Sequence, residues 1–244
     1  MEAVNINLQP VTLTGWQQAD FALSNGLGRV LMYGLPGTGK TYFGLNYHLA
    51  GKNSYRLICT EEMTDSDLIG GYRQSTNGTW QFREGVGIKA WREGARLVVD
   101  EINRCNSDVE SRLMALIDTT HSSSWEHPET GEIVKPAEGF SVVATMNGEP
   151  EDLAPAVLDR LVVRIRIDEP HDDAIMALPE YLRELARNYT SRVGDDRYSL
   201  RSFVEFAGLY GRSKDIQRSA LVALPSIAEQ LVDALALTNA EAGH

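Results

Sequence analysis

Gly34-Leu35-Pro36-Gly37-Thr38-Gly39-Lys40-Thr41 is a complete phosphate-binding loop, and this octet decides the fold. It follows the apolar run 29–33 directly and precedes a helical stretch. Glycines permit a tight turn whose N–H groups face phosphates, Lys40 can reach the β and γ phosphates, and the Thr41 hydroxyl can coordinate Mg²⁺. The octet therefore predicts a nucleoside triphosphate site formed by Gly34, Pro36, Gly37, Thr38, Gly39, Lys40 and Thr41.

The composition is that of an ordinary globular protein. Of 244 residues, 43% are hydrophobic and 23% are charged, which argues against a disordered or fibrous chain. We expect a cytoplasmic protein, because no stretch is long enough to span a bilayer and the first residues lack the pattern of a secretory signal. The net charge is −11 and no run of Lys and Arg occurs, so nucleic acid is not an expected partner.

Cysteine and histidine usage gives no indication of a transition-metal site. Cys59 and Cys105 form no Cys-x-x-Cys pair, and the five histidines are scattered along the chain. We expect two reduced thiols and histidines in structural or exposed positions. The predicted metal is therefore the Mg²⁺ that accompanies a triphosphate.

Five apolar runs, with helical segments between them, predict the strands of one sheet: 29–33, 55–60, 96–99, 140–145 and 161–167. Nearly continuous runs such as Leu97-Val98-Val99 are typical of buried parallel strands, whereas alternation in the last run predicts an edge strand. The fold class is thus α/β: a parallel five-stranded sheet of the P-loop NTPase type, sandwiched by helices, with ligands at the carboxyl ends of the strands.

Two polar segments interrupt this alternation. Segment 70–85 contains Asn77-Gly78, a favoured centre for a tight turn, and predicts a β-hairpin. Tyr72, Trp80 and Phe82 on this hairpin could face a partner or pack on underlying helices. Segment 122–139, with Thr130-Gly131 as its tip, predicts a second hairpin or a long loop.

Helical periodicity appears between strands at 107–119 and is the only pattern after Pro170. Four helices are predicted there, around Leu182, Leu200, Ile216 and Ile227, the last extending to Leu235. We therefore divide the chain into a large α/β nucleotide-binding domain, 1–169, and a small all-helical lid domain, 170–244.

Acidic and amide residues follow two of the predicted strands. Asp100 and Glu101 end the third strand, where Asp100 would hold Mg²⁺ and Glu101 would polarise a water for attack on the γ phosphate. Asn147 follows the next strand and could orient that water or contact the γ phosphate, although an ordinary turn residue is the alternative. These residues point to hydrolysis rather than binding alone.

The ordered motifs GLPGTGKT, LVVDEINR, ATMN and LDR resemble those of the AAA+ ATPases, and Asp100-Glu101-Ile102-Asn103-Arg104 is similar to the MoxR group among them. The likeness covers about residues 25–210, and the two polar segments match inserts of that group. It implies that Asn147 is a sensor of the γ phosphate. It also implies that Arg160 is an arginine finger that acts in trans on a neighbouring subunit.

Two details qualify the residues that this resemblance implies. Leu161 follows Arg160 at a position where the family often has Phe. Arg164 and Arg166 therefore stay open as further candidates for the arginine finger. Arg160 could instead cap the C-terminus of a helix. Ser199-Leu200-Arg201 is similar to a second sensor motif, and implies that Arg201 reaches the γ phosphate in cis, with a solvated helix arginine as the alternative.

The resemblance implies a ring-forming ATP hydrolase, hexameric in the family, that uses ATP and Mg²⁺ to remodel another protein through a partner with a von Willebrand factor A domain. Three alternatives stay open: a chelatase motor subunit like CobS, a nucleic-acid motor like McrB, and a nucleotide-gated scaffold that does not hydrolyse. A genomic neighbour that encodes a von Willebrand factor A protein would favour protein remodelling. A neighbouring large chelatase subunit would favour the chelatase motor, and a neighbouring nuclease would favour the nucleic-acid motor.

Overall fold

The computed structural model describes residues 11–118, 121–192, 194 and 197–233. Within these residues the strands are β1 Arg29–Tyr33, β2 Ser54–Ile58, β3 Gly70–Gln74, β4 Trp80–Glu84, β5 Arg96–Asp100, β6 Trp125–Glu126, β7 Ile133–Val134, β8 Ser141–Thr145 and β9 Val163–Arg166. The helices are α1 Gly15–Ser24, α2 Lys40–Asn46, α3 Asp65–Leu68, α4 Val86–Glu93, α5 Ser107–Ile117, α6 Pro155–Arg160, α7 Asp172–Met176, α8 Glu180–Thr190, α9 Leu200–Ser213 and α10 Ile216–Ala223, followed by a helical segment at 228–233.

The five long strands form one parallel sheet in the order β2-β5-β8-β1-β9, so the predicted α/β fold class is confirmed. Successive side chains point to opposite faces. Leu97 and Val99 pack with the core on the side of α3, α4 and α5, whereas Val98 packs with the core on the side of α1 and α2. The edge position predicted for the last strand is also confirmed, because β9 pairs only with β1 within the described residues.

Burial explains why these runs form strands. Every residue of β5 is buried, as are Val142 to Thr145 of β8, so a continuous apolar run suits a strand that is covered on both faces. At the start of β5, the buried Arg96 donates hydrogen bonds to the carbonyls of Gly44, Tyr47 and His48. The guanidinium thereby ties the end of α2 to the sheet, which fixes the helix that begins at Lys40.

Residues after 170 build a separate hydrophobic cluster. Its buried members run from Ile175 to Leu231 and include Leu182, Phe203 and Phe206. The helices around Leu182, Leu200 and Ile216 are confirmed as α8, α9 and α10. The fourth predicted helix is described only to residue 233, and its Leu235 lies outside the described residues. The division into two domains at residue 170 stays a prediction.

Both interrupting segments are hairpins. β3 and β4 pair antiparallel, and so do β6 and β7. The turn of the first hairpin is wider than the tight Asn-Gly turn predicted: Gln74 pairs with Trp80, and of the two turn residues only Gly78 has a positive φ, of 85°. Asn77 instead accepts a hydrogen bond from the backbone N–H of Thr79, at 3.2 Å, which stabilises the longer loop.

Aromatic side chains join the two hairpins. Phe82 lies half-buried with ring centroids 5.5 Å from Tyr72 and 5.8 Å from Trp125. Trp80 is 65% exposed and Tyr72 is 52% exposed. Phe82 therefore packs against aromatic residues of both hairpins, whereas Trp80 and Tyr72 present apolar surface to solvent.

Several helices were not predicted individually from the sequence, among them α1 and α4. α1 begins with a capping box in which Thr14 accepts from the Gln17 backbone N–H and the Gln17 side chain accepts from the Thr14 backbone N–H. The helix predicted at 107–119 ends at Ile117, because Asp118 adopts an extended backbone; Thr119 lies outside the described residues. No helix among the described residues is long and apolar enough to cross a membrane.

Candidate functional site

The phosphate-binding loop joins the end of β1 to the start of α2. Gly34, Gly37 and Gly39 have φ values of 113°, 72° and 104°, a region that disfavours other residues. At Gly37 space is a second constraint, since a Cβ there would lie 2.8 Å from the Cβ of Ser199. The loop is thus packed directly against the residues that precede α9.

Lys40 is buried beneath this loop, with 5% of its surface exposed. Its Nζ donates to the carbonyl oxygens of Gly34 and Leu35 at 3.2 and 2.6 Å, and to Oδ1 of Asn147 at 3.2 Å. Burial, and to a lesser extent the nearby charge of Arg197, lower the pKa of Lys40 to about 8 against the opposing effect of Glu101 and Asp100. Phosphate oxygens would restore a full counter-charge here.

The carboxylate of Asp100 collects hydroxyl donors at the end of β5. Oδ1 accepts from Thr41 Oγ1 at 2.7 Å and from Thr145 Oγ1 at 2.6 Å. Mg²⁺ prefers oxygen ligands. The Asp100 carboxylate and the hydroxyl of Thr41, the last residue of the phosphate-binding loop, both supply oxygen atoms here. The predicted pair, Thr41 and Asp100, is therefore brought together by the fold.

Arg56 completes the surroundings of Asp100, and sequence reasoning missed it. Its Nε donates to Asp100 Oδ2 at 3.1 Å, and its Nη2 donates to the same oxygen. Although burial by itself raises the pKa of Asp100, the hydrogen bonds from Thr145, Thr41 and Arg56 outweigh it and hold this pKa below its usual value. Nothing in the strand sequence singled out this arginine, because the contact depends on the register between β2 and β5.

Glu101 and Asn147 meet at the same edge of the sheet. Asn147 Nδ2 donates to Glu101 Oε1 at 3.0 Å, so the one amide bridges Lys40 and Glu101. Glu101 has a left-handed backbone, φ 58°, and its other oxygen pairs with Arg104 Nε at 2.8 Å. The left-handed residue turns the chain sharply after β5 and directs the carboxylate into the site.

Two arginines, one in the first turn of α9 and one just before that helix, lie on the other side of the site. Arg201, in the first turn of α9, lines a cavity of about 440 Å³ together with the phosphate-binding loop, Asp100, Glu101 and Asn147. Arg197 was not predicted, yet its Nη2 donates to the carbonyl oxygen of Pro36. No sequence motif marks Arg197, because its role follows from the way this segment lies against the loop.

The three finger candidates lie away from this cavity and differ in their bonding. Arg160 pairs with Asp118 at 2.8 Å and also donates to the carbonyl oxygen of Ala156 in its own helix. Arg166 is engaged by two carboxylates, at 2.7 Å each. Arg164 donates to the main-chain oxygens of Leu161 and Leu158, and within the described residues no carboxylate forms an ion pair with it.

Both cysteines lie in the described part of the chain, Cys59 buried and Cys105 half-buried. Cys59 and Cys105 are free thiols. The described residues contain no group of three or more His, Cys, Asp and Glu side chains placed to hold a metal ion. Beside the phosphate-binding loop, the Thr41 hydroxyl and the Asp100 carboxylate offer the oxygen atoms that Mg²⁺ prefers as ligands.

Comparisons with known proteins agree with this geometry. Residues 29–161 match the family described as AAA domain, dynein-related subfamily. An uncharacterised protein from Staphylococcus haemolyticus is 27% identical over 215 residues, which are 77% of this chain and 80% of that protein. Midasin from Dictyostelium discoideum is 32% identical over 121 residues, which are 48% of this chain but 2% of midasin.

A solved structure from Cytophaga hutchinsonii, described as that of a candidate ATPase, aligns with a TM-score of 0.46 at 20% identity. The alignment covers 72% of this chain and 50% of that one. The chain thus spans most of one relative's length and half or less of the other two.

The lowered pKa of Lys40 predicts proton uptake on binding. The pKa of Lys40 in the free protein is about 8, so Lys40 is mainly neutral when the pH is above this value. Bound phosphates raise the pKa and favour the charged form. We expect little uptake through Lys40 at pH 7 and nearly one proton at pH 9, with affinity for a triphosphate about tenfold weaker at pH 9.

Calorimetry in two buffers of different ionisation enthalpy measures this uptake. Lys40→Arg is the control, because a guanidinium stays charged over this range. Proton uptake at pH 9 that equals uptake at pH 7 in the wild-type protein would show that Lys40 keeps an ordinary pKa.

Proposed function

The chain belongs to the dynein-related subfamily of AAA domains, and we propose that it hydrolyses ATP with Mg²⁺ in a ring of identical subunits. The observation that carries this proposal is the amide of Asn147, which contacts Lys40 at 3.2 Å and Glu101 at 3.0 Å. A phosphate-binding lysine and a candidate general base are thereby coupled through one side chain. A site built only to bind a nucleotide has no need of that coupling.

The chemistry follows from the roles of these residues. Lys40 and the loop N–H groups would hold the β and γ phosphates. Thr41 and Asp100 would hold Mg²⁺, which when bound neutralises charge on the phosphates. Glu101 would accept a proton from the attacking water, and Asn147 would keep Glu101 and that water in position.

A ring supplies the remaining positive charge. Arg160 lies on α6, outside the cavity that contains Lys40, and a neighbouring subunit could place such an arginine at the γ phosphate. Arg201 would contact the γ phosphate from the same subunit, and its position beside the loop supports that assignment. We propose a hexamer, in accord with the resemblance to the MoxR group.

The work of the ring is proposed to be remodelling of another protein, through a partner with a von Willebrand factor A domain. The Asp-Glu-Ile-Asn-Arg stretch and the two hairpins support this assignment. The exposed Trp80 and Tyr72 of the first hairpin offer an apolar surface that a protein could contact. The acidic net charge of −11 favours a protein over a nucleic acid as the substrate.

Replacement of Glu101 tests hydrolysis. We expect Glu101→Gln to lower ATP turnover by about 100-fold or more, because an amide cannot accept the proton, while ATP affinity changes by less than about threefold. Phosphate release and equilibrium binding measure the two effects. Glu93→Gln is the matched control, since Glu93 lies on the exposed face at the end of α4.

Retention of full turnover by Glu101→Gln would remove Glu101 from the mechanism. ATP binding without turnover in the wild-type protein would favour a nucleotide-gated scaffold. The same variant, purified with ATP, also serves as bait: recovery of a von Willebrand factor A protein supports the proposed partner, whereas a large chelatase subunit or a nuclease would contradict it.

Subunit mixing tests whether Arg160 acts in trans. Arg160→Ala and Lys40→Ala proteins should each be inactive, with the arginine worth about a thousandfold or more in rate. In random mixed rings about a quarter of the interfaces join an intact site to an intact finger, so about a quarter of wild-type activity should return.

Arg164→Ala is the parallel variant. A mixture that stays inactive with Arg160→Ala but recovers activity with Arg164→Ala would assign the finger to Arg164. Failure of both mixtures to recover any activity would contradict a finger in trans at either position.

A further inference from the structure

Arg56 is a further basic residue in the site, beside Lys40 and Arg201, and the proposed mechanism leaves it without a role. It lies on β2, the edge strand next to β5, with its backbone in register with Val98. Its side chain is 47% exposed and reaches along the strand to the carboxylate of Asp100, whose own side chain is only 8% exposed. Arg56 also lines the 440 Å³ cavity that contains the phosphate-binding loop.

The bonding of Asp100 divides between its two oxygens. Thr41 and Thr145 donate to Oδ1, whereas both bonds to Oδ2 come from Arg56. A carboxylate that is this deeply buried needs a counter-charge. Among the described residues, Arg56 is the one basic side chain within salt-bridge distance of Asp100. It therefore balances the negative charge of Asp100 when no metal ion is bound.

The same contact must oppose a metal ion. A cation held by Asp100 and Thr41 would lie near a guanidinium that bonds the same carboxylate, and like charges repel at such separations. Bonds from Arg56 also use the lone pairs of Oδ2. A metal ion alone therefore competes with Arg56, whereas one that arrives with a triphosphate brings negative charge that offsets the repulsion between the metal ion and the guanidinium.

We propose that Arg56 is an internal counter-ion of Asp100 that weakens binding of a divalent cation alone and so couples metal binding to nucleotide binding. This inference rests on the proposed function, in which Thr41 and Asp100 hold Mg²⁺. Arg56 is a positioning residue in this account. It acts through Asp100 and is not assigned to the reacting atoms.

The test measures binding of Mn²⁺, as a paramagnetic substitute for Mg²⁺, to the nucleotide-free 244-residue chain, by the loss of the electron paramagnetic resonance signal of free Mn²⁺. We expect Arg56→Met to bind Mn²⁺ on the order of tenfold more tightly than wild type, and Arg56→Lys to stay near wild type because the charge remains. Arg73→Met is the matched control, since it removes an exposed arginine on β3.

Two further variants keep the result interpretable. Arg56→Gln can still donate a hydrogen bond and should show the same gain in Mn²⁺ affinity if Arg56→Met does not fold. Addition of Asp100→Asn to either variant should abolish the gain. A gain that persists in that double variant places the Mn²⁺ elsewhere and overturns the proposal.

Equal Mn²⁺ affinity in wild type, Arg56→Met and Arg56→Gln would also overturn it. ATP binding in the presence of a chelator separates this failure from failure of the proposed function. If no protein binds ATP, the proposed function fails. If wild type binds ATP but Arg56→Met loses more than about tenfold in metal-free affinity, Arg56 is a phosphate ligand and not a counter-ion.

Discussion

The buried carboxylate of Asp100 is the interaction on which the site depends. It accepts hydrogen bonds from Thr41 at the start of α2, from Thr145 at the end of β8 and from Arg56 on β2. Three elements are thereby held at one edge of the sheet. A carboxylate removed from water is stable only when its acceptors are satisfied, so the arrangement is strongly specified.

Parallel strands make this convergence possible. Because β1, β5 and β8 run in the same direction, the residues that follow them meet at the same edge. The phosphate-binding loop, Glu101 and Asn147 arrive there from different parts of the sequence. Asn147 then links Lys40 to Glu101, which couples phosphate binding to the residue proposed to activate water.

Much of this arrangement could be predicted from the sequence. The five strands, the phosphate-binding loop and the proximity of Asp100 to Thr41 follow from local patterns and from the geometry of parallel sheets. Arg56 could not be predicted, since its contact with Asp100 depends on how β2 and β5 align. Arg197 was missed for a similar reason, because its contact with Pro36 spans 161 residues.

The differences in detail also have local causes. Asn77-Gly78 predicts a tight turn, but hydrogen bonds from Thr79 to the Asn77 side chain favour a wider loop. Arg160 was predicted from resemblance alone, and its pairing with Asp118 within one subunit could not be read from the sequence. A trans-acting role for Arg160 requires that this ion pair be exchanged for a phosphate, which only a neighbouring subunit could supply.

The most direct test of a coupled hydrolysis site is single-turnover phosphate release by Asn147→Leu, with Asn53→Leu as the control on an exposed asparagine. We expect Asn147→Leu to bind ATP within about threefold of wild type but to release phosphate about 100-fold more slowly, because Glu101 is no longer held in position. Phosphate release at the wild-type rate would contradict it.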